Sequence, residues 1–261
     1  MPLFDIGVNL TSPRLADQLD DVLIRARQVG VSGGLITGTD ITQSQTAVQI
    51  AQRYPGELFA TAGIHPHYAI DADNDFIQQL KTLAECSQVK AIGECGLDFN
   101  RNFSPRDVQL SVFEAQLELA CELKLPVFLH ERDAFEQQIN LIKKYRSQLV
   151  GGVAHCFTGN RAQMEQYLQL DLYIGITGWL CDDKRGKDLQ AAVKHLPLER
   201  LLLETDAPYL APKTLKPKVS TNEPCYLPEI ARYFAEISQQ PLASVVELSY
   251  ANAHTLFAIN L

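Results

Sequence analysis

Eight short runs of apolar and β-branched residues recur along this chain, at 3–8, 34–39, 58–64, 89–97, 125–130, 152–157, 172–177 and 200–205. Between them lie segments of helical period, among them 15–29, 41–54, 76–86, 108–123, 135–145, 164–170 and 189–196. A strand followed by a helix and a second strand of the same sheet implies a right-handed parallel crossover. Eight such units in 261 residues match an α/β fold of the closed (β/α)₈ TIM-barrel kind better than an open doubly wound sheet. The runs are nearly continuous in apolar residues because strands under helices are covered on both faces. Residues 226–257 read as two further helices that meet near Pro241, and no linker or low-complexity tract interrupts the pattern, so residues 1–261 are expected to form one domain.

Composition narrows the class. With 46% hydrophobic and 21% charged residues the chain has the makings of a globular core. No stretch approaches the roughly 18 apolar residues of a membrane span. The start, Met-Pro-Leu-Phe-Asp, has no basic and then apolar leader, and the expectation is a cytoplasmic monomer without membrane attachment. Cys86, Cys95, Cys121, Cys156, Cys181 and Cys225 are scattered and form no Cys-x-x-Cys pair, which suits reduced core thiols. A net charge of −8 argues against a protein that coats nucleic acid, because such binding rests on many cationic contacts. It leaves room for one that grips a strand end.

Active sites of such barrels sit at the carboxyl ends of the strands. The polar residues there are His65 and His67 after the third strand, Glu94 and Asp98 on the fourth, His130, Glu131, Arg132 and Asp133 on the fifth, His155 on the sixth, and Glu204 and Asp206 on the eighth. His195 and His254 fall on helical segments and read as structural. His130 and His155 follow apolar strands at matching depth, with Glu94 and Asp206 at equivalent exits. Imidazole with carboxylate suits a divalent cation such as Zn²⁺, Mn²⁺ or Mg²⁺, which acidifies water and offsets charge on the oxygen under attack. Asp206 is the candidate general base.

Other residues stay open between two roles. Glu204 either supports the cation site or makes a structural ion pair. His65 either touches a substrate phosphate or stabilises the turn before Pro66. Arg101 and Arg132 either bind phosphate or are solvated loop charges. Lys213, Lys216 and Lys218 make a short basic rim, and Trp179 and Tyr209 offer faces for base stacking or for loop anchoring. No Gly-x-Gly-x-x-Gly, P-loop or Gly-x-Ser-x-Gly elbow is present.

The stretches Gly63-Ile64-His65-Pro66, Ala91-Ile92-Gly93-Glu94-Cys95-Gly96-Leu97-Asp98-Phe99, Pro126-Val127-Phe128-Leu129-His130, His155-Cys156-Phe157-Thr158-Gly159, Tyr173-Ile174-Gly175-Ile176-Thr177-Gly178-Trp179, Glu204-Thr205-Asp206-Ala207-Pro208-Tyr209-Leu210 and Asn222-Glu223-Pro224 together resemble the TatD family of metal-dependent deoxyribonucleases, from the first strand to the last helix. The resemblance implies a TIM-barrel phosphodiesterase with cation ligands at Glu94, His130, His155 and Asp206, and a substrate-contacting histidine at His65. Most of that family carries His-x-His at the end of the first strand. Here Gly7 and Asn9 stand at those positions, so the expectation is one firmly held ion, Mg²⁺ above Mn²⁺ or Zn²⁺, and at most a weak, oxygen-ligated second.

The chain is most similar to the subgroup that lacks the first-strand pair, whose members act as 3′→5′ exonucleases on single-stranded DNA and RNA. That resemblance implies the same activity here. The expectation for the site is that Asp206 and Glu94 are catalytic and that Arg101, Arg132, Glu204 and Tyr209 lie near substrate, with a part for the protein in DNA repair or turnover. The rival readings are an amidohydrolase-like hydrolase of a small amide or ester, and a non-catalytic binding protein.

Overall fold

The structure is a computed structural model, and it describes residues 1–259. The strands are β1 (Leu3–Val8), β2 (Val31–Ile36), β3 (Leu58–Ala62), β4 (Val89–Asp98), β5 (Val127–Arg132), β6 (Gly152–Ala154), β7 (Tyr173–Ile176) and β8 (Leu201–Leu203). They form one sheet in the order β1 to β8. The α-helices are α1 (Pro13–Ala16), α2 (Leu19–Gln28), α3 (Ile41–Arg53), α4 (Phe76–Ala84), α5 (Arg106–Leu123), α6 (Phe135–Tyr145), α7 (Arg161–Gln169), α8 (Lys187–Ala192), α9 (Leu227–Ser238) and α10 (Leu242–Leu256). This element order is that of a (β/α)₈ barrel, as the alternating pattern implied.

The boundaries move where local chemistry overrides periodicity. The second strand begins and ends three residues earlier than its apolar run, since Asp40 leaves the strand to cap α3, its Oδ1 accepting the Gln43 N–H at 2.7 Å. The first helical segment is split at residues 17–18 into α1 and α2. Lys124 and Gln239, with φ of 54° and 56°, end α5 and α9 in the left-handed region. Pro241 then caps α10, at the expected junction.

The described residues pack as two compact units: residues 1–35, 156–169 and 173–259 form one, and residues 36–155 with 170–172 form the other. In the first, β7 and β8 pair in parallel, Ile176 opposite Leu203, and Val8 bridges to Ala207 just past β8. Every residue of β1 and β8 is buried. In the second, β4 pairs with both β3 and β5, and the register of β4 on β5 slips between Gly93 and Cys95, so that Glu94 is an extra residue in the ladder. Gly93 makes this possible. Its φ is +144°, and a Cβ there would stand 2.3 Å from the Phe128 carbonyl oxygen.

None of the six cysteines is in a disulfide bond. Among the described residues, no helix is long and apolar enough to cross a membrane.

Candidate metal centre

The exits of β3, β4, β5 and β6 bring imidazoles to one carboxylate. Glu94 Oε1 lies 2.9 Å from His130 Nδ1, 3.5 Å from His65 Nε2 and 3.8 Å from His155 Nε2. Glu94, His65 and His155 are buried, His130 half-buried. Ligand atoms of His65, Glu94 and His130 all fall within 4.8 Å of one another. Behind them, Asp98 Oδ2 sits 2.6 Å from His67 Nε2 and 3.6 Å from His130 Nε2, the latter too long for a hydrogen bond.

Backbone donors and acceptors hold these groups in place. The Glu94 N–H donates to Gly38 O at 2.7 Å, the His65 N–H to Thr39 O at 2.8 Å, and the His155 N–H to Leu129 O at 2.9 Å. Buried glutamines on α5 and α6 pair with the peptide groups where the strands end. Gln116 accepts the Ile64 N–H at 2.8 Å and donates to Ile64 O at 3.0 Å, next to His65. Gln109 does the same for Asp98, at 2.9 and 3.1 Å, and Gln138 accepts the Leu97 N–H at 3.1 Å. Their helices stand outside the strands, so irregular backbone at the exits loses no hydrogen bond to burial.

The electrostatics sort the histidines. Burial pushes His65 down to about 3, against the pull of Glu94, so the ring is neutral. Its Nδ1 accepts the His67 N–H at 3.1 Å, which leaves Nε2 as the nitrogen that carries hydrogen. His65 therefore presents an N–H donor, not a lone pair, toward Glu94. His130 goes the other way. Burial lowers it, but Asp98 and then Glu94 outweigh that and raise it to about 9. Burial likewise works to raise Glu94, yet His65, His155 and His130 hold it well below the usual carboxylate range. In Asp98 the same burial is outweighed by His130, His67 and the Arg101 N–H, and its carboxyl is also held far below that range.

A divalent cation fits this set. His130 Nε2 is buried with no hydrogen-bond partner; its ring shares Glu94 with the imidazoles of His65 and His155, and the ionised Asp98 stands 3.6 Å from Nε2. A buried ring nitrogen without a hydrogen bond is costly unless something else pairs with it. Nitrogen and oxygen donors together suit Mg²⁺, Mn²⁺ or Zn²⁺.

The other sequence candidates are placed as follows. Asp206, half-buried with φ of +54°, accepts the Asn9 amide on Oδ1 at 2.9 Å, and its N–H donates to Gly7 O at 2.8 Å. Glu204 is fully buried and accepts the Cys156 N–H at 2.6 Å, fixing the peptide that follows His155. Arg101 is exposed, and only its backbone N–H reaches Asp98, at 2.8 Å. Arg132 lies at the end of β5 with its Nε 3.9 Å from Asp133. Neither guanidinium is among the groups around Glu94. Tyr209 is 53% exposed. His67 and Asp98, both at strand exits in the sequence, are paired with each other beside this set.

A family profile described as TatD related DNase matches residues 4–258. A protein from Pectobacterium parmentieri named 3′-5′ ssDNA/RNA exonuclease TatD is 49% identical over 259 residues, covering 98% of this chain and all of that protein. Among solved structures, a TatD family hydrolase from Entamoeba histolytica matches with a TM-score of 0.90 at 29% identity, over 100% of this chain and 99% of that one. A TatD homologue from Escherichia coli matches with a TM-score of 0.91 at 27% identity, over 99% and 98%. Taken with the glutamate and histidines gathered at the strand exits, these matches end to end make the chain a member of the TatD-related DNase family.

Proposed function

We propose that this protein is a metal-dependent 3′→5′ exonuclease acting on single-stranded DNA and RNA. The observation that carries the reading is the gathering of His65, His130 and His155 around Glu94 Oε1, in a chain 49% identical to a protein named for that activity. The cation, most suitably Mg²⁺ with Mn²⁺ or Zn²⁺ as substitutes, is assigned to Glu94, His130, His155 and Asp206. When bound it supplies charge neutralisation at the phosphoryl oxygen and acidified water.

The chain's own groups do the rest. Asp206, oriented by the Asn9 amide, takes the proton of the attacking water, and Glu94 keeps the imidazoles in register. The N–H on His65 Nε2 donates to a phosphate oxygen. Arg101 and Arg132 add cationic donors for phosphate, Glu204 steadies the peptide after His155, and Tyr209 takes a base. A second ion would have to do without imidazoles from the first strand, where Gly7 and Asn9 stand. A profile unbroken from residue 4 to 258 supports one hydrolase domain. We assign it to the cytoplasm, as a monomer engaged in turnover or repair of nucleic acid.

Metal-stripped protein, supplied in turn with Mg²⁺, Mn²⁺ and Zn²⁺, is tested on end-labelled single strands beside small amides and esters. Stepwise release of mononucleotides from 3′ ends, dependent on one of the ions, is expected. Turnover of amides or esters with intact strands would overturn the proposal.

A further inference from the structure

Within the first unit lies a cavity of about 320 Å³ that none of the imidazoles described above lines. Arg14, Trp179, Arg185, Tyr209, Lys213 and Lys218 line it. Four of these are cations, in a chain whose net charge is −8. The one carboxylate in the lining, Asp182, is already engaged: it accepts the N–H groups of Lys184 and Arg185 and the Arg185 Nε at 2.8 Å. Arg14, Lys213 and Lys218 are exposed and make no ion pair among the described residues.

The aromatic groups are arranged to match. The Arg185 guanidinium lies over the Trp179 ring at 4.2 Å, so a planar cation is stacked and held by Asp182 while its Nη groups donate to nothing among the described residues. Tyr209 is 53% exposed. Both walls are pinned. The Trp179 N–H donates to Thr177 Oγ1 at 3.2 Å, and the Asn222 amide donates to the carbonyls of Thr205 and Tyr209 at 2.8 and 2.6 Å. Gly178 lets the two walls meet, since a Cβ there would stand 2.0 Å from Leu210 O. The Tyr209 N–H donates to Asp206 O at 3.0 Å, so this wall starts at the residue assigned as base.

We infer that this cavity is a subsite for an unpaired nucleotide of the strand being digested, its phosphate taken by Arg185, Lys213 and Lys218 and its base by Tyr209 beside the Trp179–Arg185 stack. The inference rests on the nuclease reading and extends it to where the rest of the strand is held. The size is at the lower end of the range of about 300–1,000 Å³ typical of pockets for small organic groups. Stacking with cationic contacts is the sequence-tolerant way to hold a single strand. An acidic protein cannot rely on its overall field for this, so the cations have to be local.

Trp179 is the only tryptophan, so its emission reports on this cavity alone. Full-length protein in EDTA is titrated with an unlabelled oligothymidylate dodecamer and with a dinucleotide, following tryptophan emission and, with a fluorescein-labelled dodecamer, anisotropy. The dodecamer should quench Trp179. Arg185→Ala and the Lys213→Ala/Lys218→Ala pair should weaken dodecamer binding several-fold and reduce the salt slope by about 0.7 for each phosphate no longer neutralised. Lys143→Ala, on the exposed face of α6, serves as the control for removal of a positive charge, and circular dichroism checks that each variant folds.

Dodecamer binding without quenching, binding and salt slope unchanged in the variants, an equal loss with Lys143→Ala, an equal loss for the dinucleotide, or no binding by the wild type would each overturn the inference. Mn²⁺-dependent digestion of the same dodecamer is scored separately. A strand bound with quenching but never cut would sink the nuclease reading and leave the subsite standing.

Discussion

The Asn9 side-chain amide donates to Asp206 Oδ1 at 2.9 Å and to Ala207 O at 3.2 Å. One side-chain amide thus supports both the Asp206 carboxylate and the peptide that follows it. Removing the amide takes this one hydrogen bond from Asp206 without adding charge. Asn9→Ala should lower kcat about tenfold, the worth of one hydrogen bond to an ionised group. Steady-state digestion of a labelled strand measures it, and an unchanged kcat would show that Asp206 needs no such support.

The cation should stabilise the fold only through the imidazole set. At a concentration one hundred times its Kd, a bound ion adds about 2.7 kcal/mol. Thermal unfolding of the wild type should therefore shift upward with Mn²⁺, and the shift should vanish in His130→Ala. A persistent shift in that variant would put the ion elsewhere.

Asp98 stands behind the set, against His67 at 2.6 Å and His130 Nε2 at 3.6 Å. Partners of this kind orient ligands and tune their basicity. Asp98→Asn should weaken Mn²⁺ binding by about 10- to 100-fold, as read by calorimetry, while the melting temperature without metal changes little.

Gln116 holds both peptide groups of Ile64 from inside the protein. Gln116→Leu keeps the volume and orphans a buried donor and a buried acceptor. Each unsatisfied group costs about 1–3 kcal/mol, so urea unfolding should show a midpoint clearly below that of the wild type. Equal midpoints would mean that the Ile64 groups find other partners.

Burial pushes the Asp5 carboxyl from 3.8 up to about 7, although Thr205 and Gly7 donate to it. The folded state thus holds a proton that the unfolded state releases near 3.8. Its stabilisation is complete below the unfolded value and is lost as pH rises through about 7. Asp5→Asn keeps a carbonyl for the Thr205 and Gly7 N–H groups and cannot ionise. The stability of the variant relative to wild type should climb between pH 3.8 and about 7 and level off above, measured by denaturant titration at each pH.

The alternation of apolar runs and helical segments determined the eight strands, their order and the identity of the residues at their exits, because period and burial are properties of neighbours along the chain. Glu94, His130 and His155 were legible for that reason. Three-dimensional packing decided what those exits do. It set the extra residue at Glu94 in β4, the pairing of His67 with Asp98, and the glutamines that complete the peptide groups of the strand ends. It also decided that His65 offers a hydrogen: only the fold brings the His67 N–H to one ring nitrogen and buries the other against Glu94. A sequence states which donors and acceptors exist. Which ones are left facing each other, out of reach of water, depends on distances that only the folded chain sets.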